Sequence, residues 1–338
     1  MSRPDHARIP DPCLVTGAAG FIGRRLALTL RARGLTVRAL VRPDHDVDDL
    51  VAAGIEVHRG DARDSDGVAR AADGCRTILH LAAARGWKKL SHREFEAANR
   101  AMTTAVALAA ARSGLETRVV LTSTATLTGN HRPAPQTETT EPRPNSAYRK
   151  SRLQDERLLE ELAGRHGLDF VIVRVPQMVL GPGAHAWGRW VRAVRDGRLR
   201  ILPRGSAIHS GDVDDVIEGV RLAAVTEGIA GERFLLGAER PERLASVFGA
   251  IATALGTEYR PRVVPAAPYR AYTALGDRCF RAFGVELPHH YTCEFLSTPF
   301  SLDIGRARSR LGFAPRFGIL QSVERTVAWL AERGALER

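Results

Sequence analysis

Cys13-Leu14-Val15-Thr16-Gly17-Ala18-Ala19-Gly20-Phe21-Ile22-Gly23 decides how the rest of this chain reads. Its first three residues are apolar, as in a buried strand, and a helical pattern follows from about Gly20 to Arg33. Three glycines stand between them. Gly17 permits a tight turn, Gly20 lets the backbone approach a phosphate, and Gly23 lets the helix pack closely on the sheet. The helix start then offers unpaired N–H groups and a partial positive charge to that phosphate. Glycines alone make an ordinary turn. Glycines set between a strand and a helix meet the context that a dinucleotide site requires.

Outward from this turn, short apolar runs alternate with helical patterns. Strands are expected at Thr36–Val41, Gly54–His58, Arg76–Leu81, Arg118–Ser123 and Phe170–Val175, with helices at Glu94–Arg112 and Tyr148–Arg165. Continuous apolar strands separated by helices predict a parallel sheet covered on both faces, a doubly wound α/β (Rossmann) fold. After Gly181-Pro182-Gly183 the pattern changes. A helix carrying Trp187 and Trp190 follows, then a helix near Asp212–Thr226, a strand at Phe234–Leu236, a helix Ile304–Leu311 capped by Asp303, and a last helix near Ser322–Arg333. Residues 240–300 carry little pattern. The expected division is a frayed tail (1–12), a nucleotide-binding domain (13–180, with 206–236 returning to it), and a smaller C-terminal substrate-binding lobe (181–205 and 237–338).

Composition narrows the function. With 44% hydrophobic residues in 338, a sizeable core can form and disorder is not expected. No apolar window is long enough to span a membrane, and Met1–Pro12 lacks the apolar stretch of a signal peptide. Cys13, Cys75, Cys279 and Cys293 are widely spaced, which argues against structural zinc and a disulfide framework. A cytoplasmic location, free thiols and no metal are expected. The formal charge of +11 invites a nucleic-acid reading, but the basic residues are dispersed and all but Lys88, Lys89 and Lys150 are arginine. That bias is compositional, and no nucleic-acid module is visible. The expected partner is a small molecule.

Cofactor choice turns on the end of the second strand, Val37-Arg38-Ala39-Leu40-Val41-Arg42. An acidic residue there would accept from the ribose 2′-hydroxyl of NAD, whereas a basic one suits the 2′-phosphate of NADP. Arg42 occupies that place with Arg38 nearby, so NADP is expected, with NAD as the alternative and with Arg42 as one more surface arginine as the plain reading.

These residues resemble an extended short-chain dehydrogenase/reductase of the NAD-dependent epimerase/dehydratase type, over nearly the whole chain. Thr16–Gly23 is similar to its glycine turn, and Gly60-Asp61-Ala62 to the segment whose aspartate meets the adenine. His80-Leu81-Ala82-Ala83 resembles the stretch beside the cofactor, and Asn99 the helix asparagine. Leu121–Gly129 resembles the strand-five hydroxyl motif, placing the catalytic hydroxyl at Thr124 with Ser123 adjacent. Arg174-Val175-Pro176, Gly181-Pro182-Gly183, Asp215 and Leu311–Pro315 match later segments. By this resemblance Gly17, Gly20, Phe21, Ile22, Gly23, Arg42, Asp61, Ala62, Leu81, Ala82, Ala83, Tyr148, Arg152 and Val175 line the cofactor. The tail around Phe300-Ser301-Leu302-Asp303 is similar to the 3β-hydroxysteroid dehydrogenase and ketone-reductase branches. Ala125 and Thr126 stand where nucleotide-sugar dehydratases carry an Asp-Glu pair, which argues against dehydration. A homodimer is common in the family.

Family members carry Y-x-x-x-K, whose lysine holds the nicotinamide ribose and lowers the tyrosine pKa. Here Tyr148 aligns, but the lysine position holds Arg152. Lys150, two residues on from Tyr148, should face away from it on a helix. Arginine keeps the charge and can donate to ribose hydroxyls, but it does not release a proton near neutral pH. Three readings stay open: a working NADP(H)-dependent oxidoreductase on a carbonyl or secondary alcohol of a ring-bearing or lipidic substrate; a nucleotide-sugar epimerase with transient oxidation or other chemistry without net redox; and a cofactor-binding protein with altered or lost turnover. In the first, Tyr148 is the acid/base, Thr124 holds the reacting oxygen and Arg152 anchors the ribose. Arg85-Gly86-Trp87-Lys88-Lys89 could steer an anionic group or be a solvated loop. Trp187 and Trp190 could line a pocket or be core. His289-His290 is expected at the surface or a pocket wall.

Overall fold

In the computed structural model, which describes residues 8–84, 91–129 and 135–336, seven parallel strands form the central sheet. They are β1 (Cys13–Thr16), β2 (Val37–Val41), β3 (Glu56–Arg59), β4 (Thr77–His80), β5 (Arg118–Thr124), β6 (Asp169–Val175) and β9 (Arg233–Leu235). Their order is β3-β2-β1-β4-β5-β6-β9. Two small ladders stand outside it: β7 (Ile201–Pro203) with β11 (Arg262–Val264), and β8 (Ala207–Ile208) with β10 (Glu242–Arg243). The helices are α1 (Phe21–Ala32), α2 (Asp48–Ala52), α3 (Ser65–Ala72), α4 (His92–Arg112), α5 (Ala147–His166), α6 (Gly188–Arg195), α7 (Val213–Val225), α8 (Leu244–Ala254), α9 (Ala267–Phe283), α10 (His290–Ser297), α11 (Gly305–Leu311) and α12 (Ile319–Glu332).

The continuous apolar strands have their cause in two covered faces. On one, Val15, Val120 and Val173 pack with Leu26 and Leu30 of α1 and Val216 and Val220 of α7. On the other, Leu14, Ile78, Leu121 and Ile172 meet Val68 of α3, Val106 of α4 and Leu159 of α5. Local signals set the helix ends. Ser91 and Glu94 form a capping box at α4, and α5 runs from an Ser146 cap to Gly167 in the left-handed region at φ +67°. The chain leaves β1 to one side and returns at β4 on the other, so a crevice opens outside the carboxyl ends of β1 and β4.

Two expectations change, and for Trp187 and Trp190 the core reading of the two left open is the one met. The tail is not frayed from residue 9 onward: Ile9 is buried, the Thr77 hydroxyl donates to the Pro10 carbonyl at 2.9 Å, and Thr36 N–H donates to Asp11 at 3.2 Å. An apolar side chain and backbone acceptors beside the sheet are enough to tie it down. Trp187 and Trp190 belong to a third core with Phe248, Ile251, Phe295 and Val327 rather than to an open pocket wall. Finally, the stretch expected to belong wholly to the C-terminal lobe sends Phe300, Leu302, Ile304, Leu311 and Phe313 back into the sheet's core.

Candidate active site

Gly17 takes φ +70°, and a Cβ there would lie 2.7 Å from the backbone nitrogen of Ala82. The turn thus lies directly against the segment that follows β4. A Cβ on Gly23 would come within 2.3 Å of the Gly17 carbonyl, so this third glycine is needed by the turn itself. No side chain caps α1 at Gly20, and its first turn holds no carboxylate. The first-turn N–H groups, those of Phe21 and Ile22 among them, and the positive helix end are left for an anionic ligand, and a dinucleotide pyrophosphate fits this arrangement. The Phe21 ring itself is turned aside, packed where a Cβ on Gly183 would fall 2.8 Å from it.

A buried network holds this turn to the rest of the crevice. The Thr16 hydroxyl lies 2.7 Å from His80 Nδ1 and accepts from Ala82 N–H at 3.2 Å. Asn99 of α4 accepts from Ala84 N–H at 2.7 Å and donates to the Ser151 hydroxyl of α5 at 2.8 Å. Leu81, Ala82 and Ala83 are therefore strapped between the glycine turn and α5, each partly exposed. Resemblance alone pointed to His80 and Asn99; their structural work, and that of Ser151, needs the contacts.

At the other end of the crevice, Arg42 and Asp61 follow β2 and β3. Arg42 is 60% exposed, lies 2.8 Å from His45 Nε2, and is 3.7 Å from Asp44 in its own loop. Asp61 is held by Arg63 through bonds of 2.9 and 2.6 Å, which with help from Arg42 keeps its carboxyl below the usual range. Ala62 is buried beside them. Arg38 does not join this cluster. It pairs with Glu56 at 2.9 Å and donates to carbonyls at the end of α3, because a strand puts it one sheet-length from Arg42.

The catalytic candidates stand where β5 ends and α5 begins, with α5 packed on the 3-10 turn that follows Thr124. Thr124 is buried, and its hydroxyl lies 2.9 Å from that of Thr126 and accepts Thr126 N–H at 3.3 Å. Ser123 presents a buried hydroxyl with no partner among the described residues. Tyr148 lies in the first turn of α5, partly exposed. Lys150 is turned outward to Glu96 of α4 at 3.0 Å. Val175 ends β6, partly buried.

Arg152 is not the open-handed residue the sequence suggests. Its side chain is 3% exposed, donates to Asp155 at 2.8 Å, and donates also to the Thr122 carbonyl of β5. Two of its nitrogens are thus committed to the protein. Burial raises the Asp155 carboxyl to about 6 against the pull of Arg152. The charge of Arg152 is felt across the crevice floor: burial first, and Arg152 second, push the His80 imidazole down to about 3.

Other expected residues have structural posts. Asp215 accepts from the backbone N–H groups of Arg316 and Phe317 at 3.0 and 3.1 Å. His290 is buried rather than on the surface, 3.0 Å from Asp277, because Gly276 leaves room for its ring; His289 is exposed. Arg85, Gly86, Trp87, Lys88 and Lys89 lie outside the described residues.

The chain is 30% identical, over 89% of its own length and 91% of the relative's, to 4-hydroxy-2-methyl-3-oxo-4-farnesyl-3,4-dihydroquinoline-1-oxide ketoreductase of Stigmatella aurantiaca. It is 28% identical to the 3 beta-hydroxysteroid dehydrogenase/Delta 5-->4-isomerase of Mycobacterium tuberculosis, over 92% and 88%. The crystal structure of gox2253 superposes with a TM-score of 0.79 at 26% identity, covering 95% of this chain and 98% of that one. The family model described as the NAD dependent epimerase/dehydratase family matches residues 13–237. With the glycine turn and strapped crevice in place, this chain belongs to that family and is an NAD(P)-dependent enzyme of the short-chain dehydrogenase/reductase type.

Proposed function

We propose that this chain is an NADP(H)-preferring oxidoreductase that interconverts a carbonyl and a secondary alcohol on a ring-bearing or lipidic small molecule. The observation that carries the reading is the end of β5: Thr124 and Ser123 hold buried hydroxyls there, α5, which bears Tyr148, packs on the turn that follows, and the buried Arg152 of α5 donates to the Thr122 carbonyl of the same strand. The nicotinamide supplies or accepts the hydride. The chain's own groups handle the oxygen. Tyr148 gives its phenolic proton to the carbonyl oxygen during reduction, or takes the alcohol proton during oxidation, and Thr124 hydrogen-bonds that oxygen. Arg152 keeps a fixed positive charge under the site. It does this from a clamped position, held by Asp155 and the Thr122 carbonyl.

Arg42 supports the NADP preference, since its guanidinium is exposed and tied only within its own loop. Relatives named as a ketoreductase and a steroid dehydrogenase support the carbonyl chemistry and the apolar substrate class. Four free cysteines agree with a cytoplasmic enzyme.

The test is NADPH and NADH consumption against a panel of cyclic and long-chain ketones. NADPH oxidation matched by alcohol product is expected. Tyr148→Phe should lower the turnover number by at least ~10²-fold while NADPH still binds. An unchanged rate removes Tyr148 from the mechanism, and substrate conversion without net NADPH loss replaces the reductase with an epimerase.

A further inference from the structure

Eight large apolar side chains are exposed among the described residues, and three of them fall in the short span 275–285: Leu275 at 54%, Phe283 at 79% and Val285 at 52%. Phe283 ends α9, and Gly284 at φ +69° turns the chain so that Val285 follows at the same tip. Along α9 the exposed positions Ala271, Ala274, Leu275, Arg278, Arg281 and Ala282 recur at helical spacing and form one outward face. That face holds no carboxylate. The only acid of α9, Asp277, is buried, receiving a bond from Asn145 at 2.7 Å and lying 3.0 Å from His290. Glu286, just past the tip, is exposed but tied back to α5, accepting the N–H of Ala147 at 2.7 Å. Arg278 and Arg281 have no ion-pair partner among the described residues.

An outward face of apolar and cationic side chains complements an anionic lipid surface: the arginines meet phosphates while the apolar groups enter below them. A second copy fits poorly, because a two-fold contact would set Arg278 and Arg281 against themselves. No helix among the described residues is long and apolar enough to cross a membrane, so the face would lie on a bilayer. We propose that the C-terminal half of α9 and the tip at 283–285 form a docking surface for anionic membranes. The Glu286 bond to Ala147, the residue before Tyr148, seats this tip at the start of the catalytic helix. A lipidic carbonyl compound would then pass from bilayer to crevice without crossing water. That consequence rests on the reductase reading; the docking does not.

The experiment is co-sedimentation of the full chain with vesicles of phosphatidylglycerol and phosphatidylcholine in equal parts, and with phosphatidylcholine alone. Binding to the anionic vesicles that weakens with salt is expected. Phe283→Asp should lower the partition about tenfold or more, and Arg278→Ser or Arg281→Ser about fivefold each. Fluorescence of bound NADPH should be the same in all variants, showing that they fold. Equal sedimentation with and without vesicles overturns the proposal, as does a wild-type partition for Phe283→Asp. A Phe283→Asp variant that changes sedimentation-velocity mass while vesicles fail to bind assigns the face to a second copy and also overturns it. Vesicle binding is read without turnover, so a failed ketone assay leaves it standing.

Discussion

Two arginines mark the two ends of the crevice and work in opposite ways. Arg152, beneath the end of β5, is buried and clamped between Asp155 and the Thr122 carbonyl. Arg42, just past the end of β2, is 60% exposed and makes its bonds, among the described residues, within its own loop. The buried one is a fixed charge whose removal should disturb the fold. The exposed one is, on the proposed reading, a recognition group whose removal should leave the fold intact. The same side chain is structural or selective according to how much water it keeps.

Removing the buried charge should break this contrast most visibly. Arg152→Met leaves Asp155 alone in the interior, and urea unfolding at about pH 8 should show a loss of about 3–5 kcal/mol. The loss should shrink below about pH 6, where Asp155 takes up a proton. If the loss is under about 1 kcal/mol, the clamp does not hold the fold.

Asp155 sharpens the point through pH. Its folded pKa is raised, so between about 4 and 6 the native state binds the proton that the unfolded state has released. Stability from this group therefore falls as pH rises through that window. Asp155→Asn removes the effect, and its stability relative to wild type should improve by about 2 kcal/mol from pH 4 to 6. His80 works the other way. Its folded pKa is depressed, so its contribution is present above about 6.5 and is lost as pH falls toward 3. Parallel pH curves for wild type and Asp155→Asn would show that Asp155 titrates normally.

At the exposed end, Arg42→Ser should weaken NADPH binding about tenfold, about 1.4 kcal/mol, and leave NADH binding and the melting temperature unchanged. Equal losses for both cofactors would make Arg42 a general contact rather than the selector. The smallest effect is expected at Lys150, whose pair with Glu96 is half exposed. Lys150→Ala should cost under ~1 kcal/mol and leave turnover alone, in keeping with a residue on the far side of α5 from Tyr148.

Some of this was legible from residues alone. The glycine turn, the alternation of apolar strands with helices, and the outward aim of Lys150 follow from spacing, because turn geometry and helical periodicity are local. The strap through Thr16, His80, Asn99 and Ser151 joins residues far apart in the chain, and no periodicity reports which polar groups will meet. Arg38 shows the same limit. It sits four residues from Arg42, yet the strand carries it to the opposite end of the sheet, where Glu56 holds it. Residues 240–300 gave little pattern because α9 exposes apolar groups on the face where a helix ordinarily carries polar ones.

The sequence by itself determined the strand, the glycine turn and the helix from β1 to α1, since turn geometry and helical periodicity are short-range. Only the tertiary structure decided that Arg152 is a buried, clamped charge. Its partner Asp155 is three residues away and readable on a helical wheel. Whether the pair faces water or the core depends on β5 lying over it, and burial is set by what packs against a residue, not by its neighbours in the chain.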